Sequence, residues 1–221
     1  MRETNMVFYK DVLDEVRKIN DEVELVAVSK TKPMSMILEA YDQGARIFGE
    51  NRVQEIQEKF TGERPDGLKL YLIGHLQSNK TRKAVSLVDR IESIDSIKLL
   101  KQVEAECKKI NKKIEILLEV NSSGEAQKSG FTSIDELYQA AEYAHGSENL
   151  DFKGLMTVGP LGFDSEKNRK AFNFAHDLFL KLKKKYGISV LSMGMSADWK
   201  DAIASGSTEV RIGSAIFGER K

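Results

Sequence analysis

The sequence predicts an α/β protein, a single (β/α)8 TIM barrel over residues 1–221 with one extra helix at its N-terminal end. Three observations predict it. Eight short apolar segments recur along the chain, and helical stretches separate them. Each segment is a continuous run rich in Val, Ile or Leu, as in parallel strands buried on both faces, and not a strict alternation. The length of 221 residues suits one such barrel, which takes roughly 200 residues or more.

The chain opens on a helix whose apolar stripe reads as Phe8, Val12, Val16 and Ile19. The strands are ELVAVSK, RIFGEN, KLYLIGH, RIESID, KIEILLEVN, FKGLMTVG, SVLSMGMS and EVRIGSAIF. TGERPDG, residues 61–67, reads as an exposed turn before strand three. After strand four, Ile97, Leu100, Val103, Cys107 and Ile110 recur at helical spacing on one face. Ser133-Ile134-Asp135-Glu136 is a capping-box pattern that opens the helix after strand five. The helix from about Ser165 to Tyr186 is expected to bury Ala171, Phe174, Ala175, Leu178 and Leu182. With only three prolines and no Gly/Ser linker, nothing marks a domain boundary. An open doubly wound sheet would want G-x-G-x-x-G after the first strand, and Ser29-Lys30-Thr31-Lys32-Pro33 stands there instead.

Composition narrows the function. The 34 basic and 34 acidic side chains balance, so no basic excess points to nucleic acid. The Lys181–Lys185 run reads as a solvated helix face. The single cysteine, Cys107, cannot form an internal disulfide, and its place on a helix face makes it a buried structural thiol. No apolar run reaches the length of a membrane span, and the N-terminus lacks the apolar core of a secretion signal. A cytoplasmic protein with no membrane partner is expected.

In a barrel the chemistry gathers where the strands end. Lys30 follows Leu25-Val26-Ala27-Val28 directly. A lysine emerging from a buried strand either reaches solvent or is desolvated, which frees its amine to attack an aldehyde. Ser196, Gly213 and Ser214 follow strands seven and eight, the usual phosphate site of this fold. Small residues let backbone N–H groups approach phosphate oxygens, although ordinary turn and capping chemistry uses the same residues. Arg211 shares the facing of Gly213 and needs a buried acceptor. A pyridine nitrogen would serve, and so would Glu50 or Glu119. Asn51 ends strand two, His75 ends strand three and Met195 precedes Ser196. His145 and His176 fall on helices, Trp199 reads as packing, and no His/Cys/Asp set has metal-ligand spacing.

Seven stretches then resemble one family. They are VAVSKTKP from Val26, FGENRVQE from Phe48, IGHLQSNK from Ile73, VNSSGEAQKSGF from Val120, GLMTVGP from Gly154, LSMGMSADW from Leu191 and GSTEVRIGSAIFG from Gly206. Together they span nearly the whole chain. The chain resembles the pyridoxal-phosphate homeostasis protein family (YggS/PROSC-like). The resemblance implies a barrel like the N-terminal domain of alanine racemase, fold-type III of the enzymes that use pyridoxal 5′-phosphate (PLP). It implies a PLP imine on Lys30, phosphate contacts from Ser196, Gly213 and Ser214, Arg211 at the pyridine nitrogen and Asn51 near the ring. His75 and Met195 complete the expected cofactor-binding set. Two departures stand out. Many members carry Trp-His-Phe where this chain has Lys69-Leu70-Tyr71-Leu72, and many carry Gly-Thr where it has Gly213-Ser214.

A monomeric carrier of PLP is expected, with apo PLP enzymes as candidate recipients, no catalytic residue and no metal. An amino-acid racemase is the alternative. A racemase needs a second acid/base, and the sequence offers no good candidate; it also offers no second β-rich domain. A barrel enzyme that acts on phosphorylated sugars through a lysine imine is the third reading.

Overall fold

The structure, a computed structural model, describes residues 7–219 apart from 126, 161 and 163. Helix α1 (Tyr9–Ile19) leads into β1 (Glu24–Val28), α2 (Met34–Asp42), β2 (Ile47–Glu50), α3 (Val53–Lys59) and β3 (Lys69–Leu72). A short 3-10 turn precedes α4 (Thr81–Leu87), followed by β4 (Arg90–Ile94), α5 (Ile97–Lys109) and β5 (Ile114–Glu119). The chain continues through α6 (Ile134–His145), β6 (Leu150–Met156), α7 (Ser165–Tyr186) and β7 (Val190–Met195). It ends with α8 (Trp199–Ala204), β8 (Glu209–Ile212) and α9 (Ser214–Phe217). The strands form a closed barrel in sequence order, and β8 closes on β1 through parallel pairs such as Val26 with Arg211. The predicted (β/α)8 barrel with an extra helix is the observed fold.

Period-two alternation divides each strand between two cores. Leu25 and Ala27, Leu70 and Leu72, and Ile116 and Leu118 join the apolar shell beneath the helices. The residues between them face the lumen, and there the filling is partly charged. Arg90 Nη1 donates to Glu209 Oε2 at 2.6 Å. Strands β4 and β8 stand on opposite sides of an eight-stranded ring, so this bond crosses the barrel. Most barrels of this fold fill the space with branched apolar side chains instead.

The helices follow the predicted pattern with three shifts of face. In α1 the buried side chains are Tyr9, Val12 and Val16. Phe8 is 39% exposed because it sits at the N-cap, outside the helical spacing, and Ile19 lies exposed at the last turn. In α5, Leu99, Leu100, Val103 and Cys107 are buried, whereas Ile110 lies beyond the helix as its exposed C-cap. Burial pushes the Cys107 thiol up to about 11, which leaves it protonated and unreactive. In α7 the buried arc includes Phe172 and Phe179 with Ala171, Ala175, Leu178 and Leu182. That arc is centred away from Phe174, which falls on its exposed edge. The capping box forms as predicted, with Ser133 Oγ accepting the Glu136 N–H at 3.3 Å. The 61–67 turn is exposed or half-buried throughout.

Candidate functional site

The strand ends bring all eight predicted residues to one cavity of ≈ 420 Å³. Lys30, Asn51, His75, Met195, Ser196, Arg211, Gly213 and Ser214 all line it. Lys30 is half-buried at the exit of β1. Asn51 follows β2, where Gly74 lets its backbone come close. A Cβ at Gly74 would meet the Asn51 carbonyl oxygen at 2.4 Å. His75 stands at the rim, 57% exposed, with Nδ1 3.2 Å from Asp95 Oδ2.

The ends of β7 and β8 are joined by one hydroxyl. Ser196 Oγ accepts the Gly213 N–H at 3.2 Å, which leaves the hydroxyl proton available to a ligand. A Cβ at Gly213 would crowd the Val28 carbonyl at 3.1 Å, so a small residue keeps this loop against β1. Ser214 opens α9 beside them, and Met195 is exposed at the lip. Asp198 Oδ1 anchors the β7 end by accepting the Met195 N–H at 2.6 Å.

Arg211 is 3% exposed and held from below. Its Nη1 donates to Ser192 Oγ at 2.6 Å and its Nη2 to the Thr157 carbonyl at 2.9 Å. Neither carboxylate named from the sequence forms an ion pair with it. Glu50 bonds Ser29 and Lys59 instead, and among the described residues no carboxylate oxygen lies within 4 Å of the Arg211 guanidinium. Ser192 in turn donates to Glu92 Oε2 at 2.9 Å. Burial first, then the charge of Glu209, pushes the Glu92 carboxyl well above the usual carboxylate range. Glu92 and Glu209 each carry one buried oxygen with no other hydrogen-bond partner among the described residues, an arrangement that one shared proton would satisfy. Arg90 completes the layer by pairing with Glu209 and Glu115 and by stacking over the Tyr71 ring at 4.1 Å. This column was legible as two period-two charge pairs, R-x-E in β4 and E-x-R in β8, and the sequence reading did not use it.

Glu119 was also missed as a site residue. It lines the cavity at the end of β5, and burial together with the nearby Asp95 charge pushes its carboxyl up to about 7. Its strand-end position was the available signal. Lys32, Ile73 and Val158 add to the wall. Among the described residues no group of His, Cys, Asp and Glu could hold a metal ion, and no helix is long and apolar enough to cross a membrane.

A closed parallel barrel with lysine at the end of its first strand and an arginine-bearing last strand defines a class. The profile of the alanine racemase N-terminal domain family matches residues 10–221. An alanine racemase of Clostridium difficile shares the fold, with a TM-score of 0.80 over 96% of this chain and 59% of that one, at 14% identity. Nearer relatives narrow the class. The pyridoxal phosphate homeostasis protein of Vibrio cholerae is 43% identical over 203 residues, covering 90% of this chain and 86% of the relative. The mouse protein of that name is 41% identical over 89% of this chain and 76% of its own length. PipY of Synechococcus elongatus PCC7942, solved with PLP bound, superposes with a TM-score of 0.84 at 34% identity, covering 95% of this chain and 100% of that one. The chain belongs to the pyridoxal phosphate homeostasis protein family.

Proposed function

We propose that this chain carries pyridoxal 5′-phosphate as a Schiff base on Lys30 and serves intracellular vitamin B6 homeostasis without substantial turnover of its own. The donor set of that cavity carries this reading. An amine stands at one wall, a buried guanidinium at another, and a hydroxyl-and-amide cluster at Ser196, Gly213 and Ser214. These three features fit the aldehyde, the ring nitrogen and the phosphate of one molecule. PLP bound to PipY and the names of the family's members support the same reading.

PLP supplies an electrophilic carbon and a ring that can delocalise charge. The chain's own residues do the rest. Ser196, with its free hydroxyl proton, and Ser214, with its hydroxyl, would hold the phosphate through charge-assisted bonds, which are stronger than neutral ones. Asn51, His75 and Met195 would wall the ring. Arg211 is permanently charged and accepts no proton, so beside the ring nitrogen it would disfavour protonation there. That would weaken the electron sink on which PLP catalysis depends. The protein is then a monomeric, cytoplasmic carrier, and apo PLP enzymes are its recipients.

One observation favours the racemase reading. Burial pushes the Glu119 carboxyl up to about 7 inside the cavity, so a second acid/base group that titrates near neutral pH is present. Two measurements decide between the readings. Visible spectra with and without borohydride, followed by peptide mapping, should place the reduced label on Lys30; label mainly on Lys32 or Lys80 overturns the assignment. Incubation with L-amino acids in deuterated water should give at most slow α-proton exchange, while the loaded protein restores an apo PLP enzyme. Racemisation near the ordinary enzyme rate of about 10 per second would replace the carrier with a racemase.

A further inference from the structure

The turn that presents Lys30 is one the backbone does not favour. Thr31, the next residue, has φ +64°. That is the left-handed region, which glycine enters freely and a β-branched residue enters only under strain. Strain of this kind persists only where surrounding contacts hold it. Here the contacts come from β2 and α3. The Glu55 carboxylate accepts the Thr31 N–H. Lys59, one helical turn on, donates to the Ser29 carbonyl at 2.8 Å and to Glu50 Oε1 at 2.8 Å. It also pairs with Glu55 Oε1 at 2.6 Å. Glu50 Oε1 accepts the Ser29 hydroxyl at 2.6 Å.

Both neighbours of Lys30 are therefore tied: Ser29 through its hydroxyl and carbonyl, Thr31 through its amide. The ties meet at Lys59, whose side chain is 11% exposed, against a Glu50 side chain that is fully buried. None of Glu50, Glu55 or Lys59 lines the cavity, so none would touch a molecule bound there. Glu50 and Glu55 also flank Asn51, so the same segment sets that residue and the Lys30 turn in register.

We propose that Glu50, Glu55 and Lys59 form a clamp that holds the Lys30 turn in its strained conformation, and that they are positioning residues for the Lys30 amine. The proposal rests on the reading of Lys30 as the PLP-binding lysine. An ion cluster that served only to pin α3 to β2 would stabilise the fold without any special tie to Lys30. The clamp predicts something more specific: removing it should impair imine formation, and relieving the strain at Thr31 should restore it.

The test mixes apo protein with PLP and follows the growth of imine absorbance. It compares wild type, Glu55→Ala, Thr31→Gly and the double variant. Binding of pyridoxine 5′-phosphate is measured in parallel, because that molecule has the phosphate and ring but no aldehyde. Glu55→Ala should slow imine formation about tenfold while pyridoxine 5′-phosphate affinity stays within about twofold of wild type. Thr31→Gly should bring the double variant back to within about threefold of wild type, since glycine enters that φ without strain. Glu55→Gln, which keeps an oxygen for the Thr31 amide, should fall between wild type and Glu55→Ala. An unchanged rate in Glu55→Ala, an equal loss of both ligands, or a double variant no faster than Glu55→Ala would overturn the clamp. A wild-type protein that never develops the imine absorbance would instead remove the Lys30 reading beneath it.

Discussion

Two basic residues face the same cavity, one on a tied turn and one inside the barrel. Lys30 is half-buried on a turn whose neighbouring residues, Ser29 and Thr31, are tied to Glu50, Glu55 and Lys59. Arg211 is fixed through its side chain, from inside the barrel, by Ser192, the Thr157 carbonyl and the carboxyl layer beneath. On the proposed reading, the tied turn would set where the Lys30 amine meets an aldehyde, and the two bonds from inside the barrel would set where the Arg211 guanidinium stands beside a ring. Arg211 is almost fully buried and donates to buried groups, so fold stability and ligand chemistry are coupled more tightly there than at the half-buried Lys30.

The sharpest way to break that comparison is one substitution on each side. Lys30→Met should abolish the visible imine band and weaken PLP by more than about a hundredfold, while denaturant unfolding of the apo protein shifts by no more than about 1 kcal/mol. Arg211→Met should cost about 3 kcal/mol of stability, because Ser192 and the Thr157 carbonyl lose a charged donor inside the barrel. Equal stability losses in the two variants would erase the distinction.

A smaller effect sharpens the phosphate side. Ser196→Ala removes the hydroxyl that accepts the Gly213 N–H, and Ser214→Ala removes its neighbour. Each should weaken PLP by about 1.5–3 kcal/mol, the worth of a hydrogen bond to a charged group, and leave pyridoxal nearly unaffected. Equal weakening of PLP and pyridoxal, measured by equilibrium dialysis, would remove the phosphate role.

How much of this could be read beforehand differs between strand ends and strand interiors. The barrel was legible because continuous apolar runs alternate with helices, and turn residues mark the place where each strand stops. Lys30, Asn51, Ser196 and Gly213 were legible as candidates because each stands at such a stop. The partners of Arg211 were not, because Ser192 lies on the neighbouring β7 and Glu92 meets Ser192 across the lumen from β4, and only the closed barrel brings the three together. The Lys30 clamp was hidden for a similar reason: nothing in Glu55 and Lys59 beyond ordinary i, i+4 helix pairing says that they face the β1 turn. Phe8 and Phe174 were misplaced because apolar spacing finds a stripe but not its edges.

Glu119 lines the same cavity and supplies the finest test. Asp95 raises its carboxyl and Arg211 lowers it, with burial the largest influence, and the result is about 7 against an ordinary value of 4.5. The folded protein therefore binds more protons at this site than the unfolded chain does between those two values. Stability contributed here is present below pH 4.5, falls as pH rises to about 7, and is level above that. Glu119→Gln keeps the neutral form at every pH. The variant should match wild type near the acid end of that window and exceed it at pH 8 by roughly 1.5 kcal/mol, the full linkage being reduced by water at the open mouth. Taking the difference between the two proteins at each pH cancels the other raised carboxyls, Glu92 and Asp198 among them. Unfolding of both proteins across this range measures it. A difference that stays flat with pH would show that Glu119 is ionised throughout, and would also remove the proton-holding group that gives the racemase reading its one support.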